Sequence, residues 1–173
     1  MSSDFIVKLV RVAGVAVLVA VAGTLSSCQV RPLYAESTGV KTKLASVGFA
    51  DVGSRVGLEV RNRLIFIAGG GTGEAVNPKY MVSLSVSSAL QGVIYLPSSD
   101  TSAAGRTTVT VSYVLKTAAD GKVIKAGSRA ATALVDLPPQ EFTKLRAERD
   151  AEDRAAHEAA ELVGMDIAAA LSR

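Results

Sequence analysis

The sequence predicts an α+β domain: a mostly antiparallel sheet of about four strands with two helices packed on one face, in the order β-α-β-β-β-α, after a cleaved signal. Three observations carry this expectation. Residues 80–87 and 107–117 alternate apolar and small polar side chains at the period of a half-buried strand. Asp120-Gly121 follows the second run at once, the short-range signature of a hairpin. Residues 141–172 contain no proline and are rich in alanine and charge, the composition of one long helix.

The first stretch of chain is an address. Lys8 and Arg11 form a positive flank, residues 12–25 an uncharged apolar run of 14, and Ser26 and Ser27 stand as small residues before Cys28. That is the layout of an export signal. As a helix the run rises about 21 Å, short of the roughly 30 Å hydrocarbon core of a bilayer, so a permanent span is the weaker reading. Leu25-Ser26-Ser27-Cys28 resembles the lipobox of bacterial lipoproteins, in which the cysteine sulfur is acylated and the signal is cut just before it. The resemblance implies signal recognition at Leu25, Ser26 and Ser27 and lipid attachment at Cys28, with acyl chains such as palmitate. Gln29, in place of Asp, follows the cysteine; in such lipoproteins this favours the outer membrane over retention at the inner one.

Residues 1–27 are therefore expected to be a signal peptide, 28–42 a lipidated tether and 43–173 a single domain. The mature chain keeps 17 of the 19 basic and 15 of the 16 acidic residues, because Lys8, Arg11 and Asp4 leave with the signal; its formal net charge is +2. So mild a balance does not argue for nucleic acid. Cys28 is the one cysteine, so once acylated it leaves no thiol for a disulfide or a Cys-based metal site. The absence of Trp, beside four Tyr and four Phe, speaks against a stacking platform for sugars or bases.

Past Cys28, Pro32 forbids helix and residues 35–40 are small and polar, as a tether requires. Leu44, Val47 and Phe49 mark a first strand over residues 43–49. Val56, Val60, Leu64 and Ile67 then recur at steps of four, four and three, an amphipathic helix over residues 54–68. The glycines of Gly69-Gly70-Gly71-Thr72-Gly73 end it. They make no phosphate cradle, since such a loop opens a helix and carries Gly-Lys-Ser/Thr.

Pro78 precedes a strand in which Tyr80, Val82, Leu84 and Val86 face one side and Ser83, Ser85 and Ser87 the other. It runs on toward residues 93–96, with Gly92 placing a bulge or bend. Residues 97–105 read as a flexible loop. The strand at 107–117 and its hairpin partner at 122–135 complete a three-strand meander with the Tyr80 strand. Asp136-Leu137-Pro138-Pro139 stops the sheet. In the terminal helix Arg149 with Asp153 and Asp150 with Arg154 stand at i,i+4 spacing, and Gly164 is a candidate soft point.

Catalytic patterns fail on inspection, and no cofactor is expected. His157 is the only histidine; His157-Glu158-Ala159-Ala160-Glu161 lacks the second histidine of a zinc-protease helix, and a solvated helix face explains it better. No Gly-x-Ser-x-Gly elbow presents a nucleophile. The sequence predicts a protein that binds and is not an enzyme.

Two stretches carry a wider resemblance: Cys28-Gln29-Val30-Arg31-Pro32-Leu33-Tyr34, and Leu145-Arg146-Ala147-Glu148-Arg149-Asp150-Ala151-Glu152-Asp153-Arg154-Ala155. With the element order they resemble the LptE-type lipopolysaccharide-assembly lipoproteins, in particular their alphaproteobacterial form. Gln29 departs from the Gly associated with that group, which leaves lipidation untouched. The resemblance implies a noncatalytic outer-membrane lipoprotein, facing the periplasm or inside a barrel lumen. Its partners would be an LptD-type outer-membrane β-barrel, lipopolysaccharide and, through the lipid anchor, the membrane. For lipopolysaccharide phosphate the candidate residues are Arg106, Lys116, Lys122, Lys125 and Arg129, on or beside the hairpin. Taken singly, each reads more readily as a solubilising residue of an exposed or edge strand. The rival reading is an outer-membrane-anchored lipid carrier without a barrel partner, which calls for an apolar pocket between sheet and helices.

Overall fold

The computed structural model describes residues 39–97 and 101–172. The lipobox, Cys28 and the tether up to residue 38 lie outside the described residues. The elements run α1 (Val40–Leu44), β1 (Val47–Phe49), α2 (Arg55–Gly69), β2 (Tyr80–Leu96), β3 (Thr101–Thr117), β4 (Val123–Asp136) and α3 (Glu141–Leu171). The α+β class and the order from β1 onward are as expected, and α1 is an addition.

Residues 43–49, expected as one strand, divide. Val40–Leu44 is one helical turn, and Val40 and Leu44, four residues apart on it, are 0% and 4% exposed, so the turn sets both against the core. Lys43 Nζ donates to the Leu171 carbonyl at 2.7 Å, which ties this turn to the end of α3. The packed domain thus reaches back to Val40, into the stretch expected as tether.

The sheet order is β1-β2-β3-β4. β1 pairs with β2 in parallel, Val47 opposite Tyr80 and Phe49 opposite Val82, because α2 forms the crossover that a parallel pair requires. The other two pairings are antiparallel, so the sheet is mixed. Gly121, at φ +68°, takes the left-handed turn position, and Lys122 N–H donates to Asp120 Oδ1 at 3.1 Å. The register of β2 on β3 shifts between Gly92 and Ile94, the bulge that Gly92 announced.

Residues 101–105, expected within a loop, are strand. Gly105 pairs with Gly92 and Ala104 with Ile94, and a Cβ on Gly92 would lie 2.2 Å from Ser102 Oγ. Small residues here serve a close approach of two strands. They lack the apolar alternation by which a strand is read.

Ser54 caps α2, its Oγ accepting from Gly57 N–H at 3.0 Å. Gly70 ends the helix in the left-handed region at φ +58°, donating to the Phe66 carbonyl as glycine caps do. α3 passes through Gly164 as one helix. A Cβ at Gly164 would stand 3.3 Å from Ile67 Cγ2, so this glycine makes room for α2.

Strand parity sorts the two faces of the sheet. Val82 on β2, Val109, Val111, Tyr113 and Leu115 on β3, and Ala131, Ala133 and Val135 on β4 are buried and aligned by the register on the face that carries α2 and α3. The seam with α3 is made of small residues: Ala151, Ala155, Ala156, Ala159, Ala160 and Ala168 are all 0% exposed. Such side chains let α3 pack closely.

One polar group is caught in this seam. Thr107 is 1% exposed, and its hydroxyl has no hydrogen-bond partner. A buried donor left unmade costs about 1–3 kcal/mol, and an apolar group of the same shape avoids the cost. Thr107→Val is therefore expected to stabilise the domain by about 1 kcal/mol, read as a higher urea midpoint at unchanged slope.

Candidate functional site

The face of the sheet turned away from the helices is uncovered among the described residues. β2 contributes Ser83, Ser85, Ser87, Ala89 and Gln91, β3 contributes Thr108, Thr110 and Ser112, and β4 contributes Ala126, Ser128, Ala130 and Thr132. All those of β2 and β4 are exposed. Cross-strand hydroxyl pairs lace it: Thr108 with Thr132 at 3.3 Å and Ser112 with Ser128 at 3.2 Å. The outcome is a broad surface, polar but uncharged through its middle.

The five basic candidates do not meet on it. Arg106 and Lys116 belong to the open face but sit ten residues apart on β3, about 33 Å at strand rise. Arg106 donates to Gln91 Oε1 at 2.9 Å and lies opposite Leu134 in register, a side chain that is 69% exposed. Lys122 stands in the hairpin turn. Lys125 and Arg129 share the parity of Ala131 and Ala133 and so lie on the helix-bearing face. The sequence carried the signal for this split, since even numbers on β3 and odd numbers on β4 fall on opposite faces.

Arg129 is already engaged. Its Nε and Nη2 reach Asp166 Oδ2 and Oδ1, each at 2.7 Å, from β4 to α3. Tyr113, buried on β3, donates its hydroxyl to the same carboxylate at 2.8 Å. The Arg129 guanidinium holds the Asp166 carboxyl below the usual carboxylate range, against the opposing effect of partial burial. Burial first, then the adjoining Asp166 carboxylate, pushes the Tyr113 phenol up to about 12. This triad joins the helix to two strands, a positioning task that sequence reading missed because its members lie far apart in the chain.

Other ion pairs bind the helices to each other. Arg55 bridges Glu152 and Asp153, and Arg63 meets Glu161, from α2 to α3. Asp150 and Arg154 pair within α3 at 2.9 Å as their spacing predicts, whereas Asp153 is taken by Arg55. His157 stands 3.7 Å from Glu59 with its side chain 53% exposed, a solvated helix-face residue. Among the described residues no group of His, Cys, Asp or Glu is placed to hold a metal ion. Among those residues, too, no helix is long and apolar enough to cross a membrane.

A sheet with two helices on one face, a long α3 and an open hydroxyl-lined face is a shape that can be compared. The family model for LptE, described as lipopolysaccharide assembly, matches residues 42–167. The chain belongs to the LptE family. No curated relative matches it. Among solved structures it is similar to a candidate lipoprotein of Caulobacter crescentus, at 24% identity and TM-score 0.64, covering 77% of this chain and 96% of that one. It is also similar to the rare lipoprotein B of Shewanella oneidensis, at 14% identity and TM-score 0.54, with coverage of 72% and 92%. A minor lipoprotein of Acinetobacter baumannii follows at 11% identity and TM-score 0.51, with coverage of 71% and 88%. At these identities the structures show a shared fold. For an LptE-family domain, the open sheet face and the position of Arg106 on it are the features from which a function can be argued.

Proposed function

We propose that this chain is a noncatalytic outer-membrane lipoprotein, anchored through acylated Cys28, that seats its open sheet face in the lumen of an LptD-type barrel and takes part in delivering lipopolysaccharide to the outer leaflet. The observation that carries the reading is that face: three strands wide, lined mainly by Ser, Thr and Ala with Val114 and Gln91 among them, and free of charge between Arg106 at one end and Lys116 at the other. A barrel lumen is polar, and hydroxyls meet a polar wall without the desolvation cost of ions. Membership of a lipopolysaccharide-assembly family supports the substrate. The rival carrier needs a cavity between sheet and helices lined by larger side chains, and the buried alanines of α3 favour the first reading.

Extraction of the lipidated chain from its own membranes in mild detergent tests the reading. A barrel protein co-purifying in a fixed ratio is the expected result, and a lone lipoprotein would overturn it. For lipopolysaccharide we take Arg106 as the residue that meets a phosphate, a reading supported by its place on the open face opposite the exposed Leu134. Arg106→Glu is expected to weaken lipopolysaccharide binding about tenfold, the effect of losing a charge-assisted contact, while Lys125→Glu on the other face leaves it within about twofold. Equal effects in a binding titration would remove Arg106 from the site.

A further inference from the structure

The open face changes character at the end that carries Arg106. Ile94 of β2, just past the bulge, lies opposite Ala104 of β3, and Ala104 lies opposite Asp136 of β4. In the neighbouring row Gln91, Arg106 and Leu134 stand side by side. Opposite residues of paired strands share a face, so Ile94, Ala104 and Leu134 join Arg106 on the open one. Ile94 and Leu134 are each more than half exposed, large apolar side chains at the end of a surface that is otherwise mostly Ser, Thr and Ala.

Arg106 is also engaged differently from its fellow arginines. Arg55, Arg61, Arg63, Arg129 and Arg154 each meet a carboxylate. Arg106 donates to the neutral Gln91 amide and pairs with no carboxylate among the described residues, so its charge is left for an outside anion. A guanidinium binds phosphate through parallel N–H bonds, and the apolar side chains beside it gain by meeting hydrocarbon. One ligand that does both is a phosphate carried on an alkyl chain. Ile94 and Leu134 stand two strand spacings, roughly 10 Å, apart across the sheet, and between them Ala104 raises only a methyl. That leaves a shallow furrow wide enough for one chain. Asp136, beside Ala104 on β4, repels an anion there, which sets the phosphate at Arg106 and the chain over Ala104.

We infer that this end of the open face holds an acyl chain of the lipid whose phosphate Arg106 meets, laid over Ala104 between Ile94 and Leu134. The inference rests on the reading of Arg106 as a phosphate contact and adds to it a contact with the hydrocarbon of the same molecule.

The test titrates the full lipidated chain, at one fixed concentration of a mild detergent, with two probes: lipid A, and its fully deacylated but still phosphorylated glycan. Ile94→Asn and Leu134→Asn change exposed positions, and each is expected to weaken lipid A binding about tenfold, the effect of withdrawing one large apolar contact. Both should leave the glycan within about twofold. Val123→Asn, opposite Lys116 at the other end of β3, should change neither probe, and Arg106→Glu should weaken both. If Arg106→Glu weakens both probes while Ile94→Asn and Leu134→Asn leave lipid A binding unchanged, the acyl contact is overturned and the phosphate contact stands. An effect of Val123→Asn on lipid A equal to theirs overturns the acyl contact as well. If Arg106→Glu leaves both probes unchanged, the phosphate contact falls and this inference falls with it.

Discussion

Tyr113→Ala is expected to destabilise the domain by about 3–5 kcal/mol, the usual result of deleting a large buried side chain. The ring is 1% exposed at the centre of β3 and faces Gly127 across the β3–β4 pair. A Cβ at Gly127 would lie 2.8 Å from the phenol oxygen, so the ring fills the space that glycine leaves. Its loss opens a cavity and strips one bond from Asp166. Against a total of roughly 5–15 kcal/mol for a domain, that is enough to lower the urea midpoint drastically.

Tyr113→Phe separates the two contributions. The ring stays, Asp166 keeps Arg129, and the expected loss falls to about 1–2 kcal/mol for one hydrogen bond to a charged acceptor. It should also change the response to pH. A phenol at about 12 in the folded chain, against about 10 unfolded, gives stability that is complete below pH 10 and is lost as pH rises toward 12. Tyr113→Phe should remove that alkaline loss. At the acid end, the depressed Asp166 carboxyl gives stability that is present above about pH 4 and lost as pH falls through its lower folded value. That limb should survive in Tyr113→Phe, because Arg129 is its first cause. Urea melts across pH check both limbs.

Much of this arrangement is legible in local pattern. The alternation of Tyr80, Val82, Leu84 and Val86 with serine gives β2 its two faces, and Asp120-Gly121 sets the β3–β4 hairpin, because both signals act within a few residues. α1 is not legible in this way: one turn with Lys41 and Lys43 on it has no periodic signal, and it exists because Val40 and Leu44 are buried in the core. The start of β3 is hidden for the opposite reason, since Ser102, Ala103, Ala104 and Gly105 read as a loop until the end of β2 pairs with them. The Tyr113–Asp166 bond spans 53 residues and depends on where α3 lands. The basic candidates are divided by strand parity, which, counted from the buried residues, sets Arg106 and Lys125 on opposite faces.

Cys28→Ala is expected to abolish lipid attachment altogether. The chain should accumulate with residues 1–27 still attached, take up no labelled palmitate, and be missing from the outer-membrane fraction. The argument rests on two properties of the sequence. The apolar run of 14 residues is short for a lasting span, so an uncleaved signal is a poor substitute for acylation. Stable anchoring needs more than one chain at about 0.8 kcal/mol per buried methylene, and Cys28 is the one thiol to which a thioether-linked lipid can be joined. Mass spectrometry of the wild-type mature chain should correspondingly begin at an acylated Cys28. A Cys28→Ala chain that still matured and sedimented with outer membranes would move the anchor from the lipid to a protein contact, and the open sheet face would then be the first place to look for it.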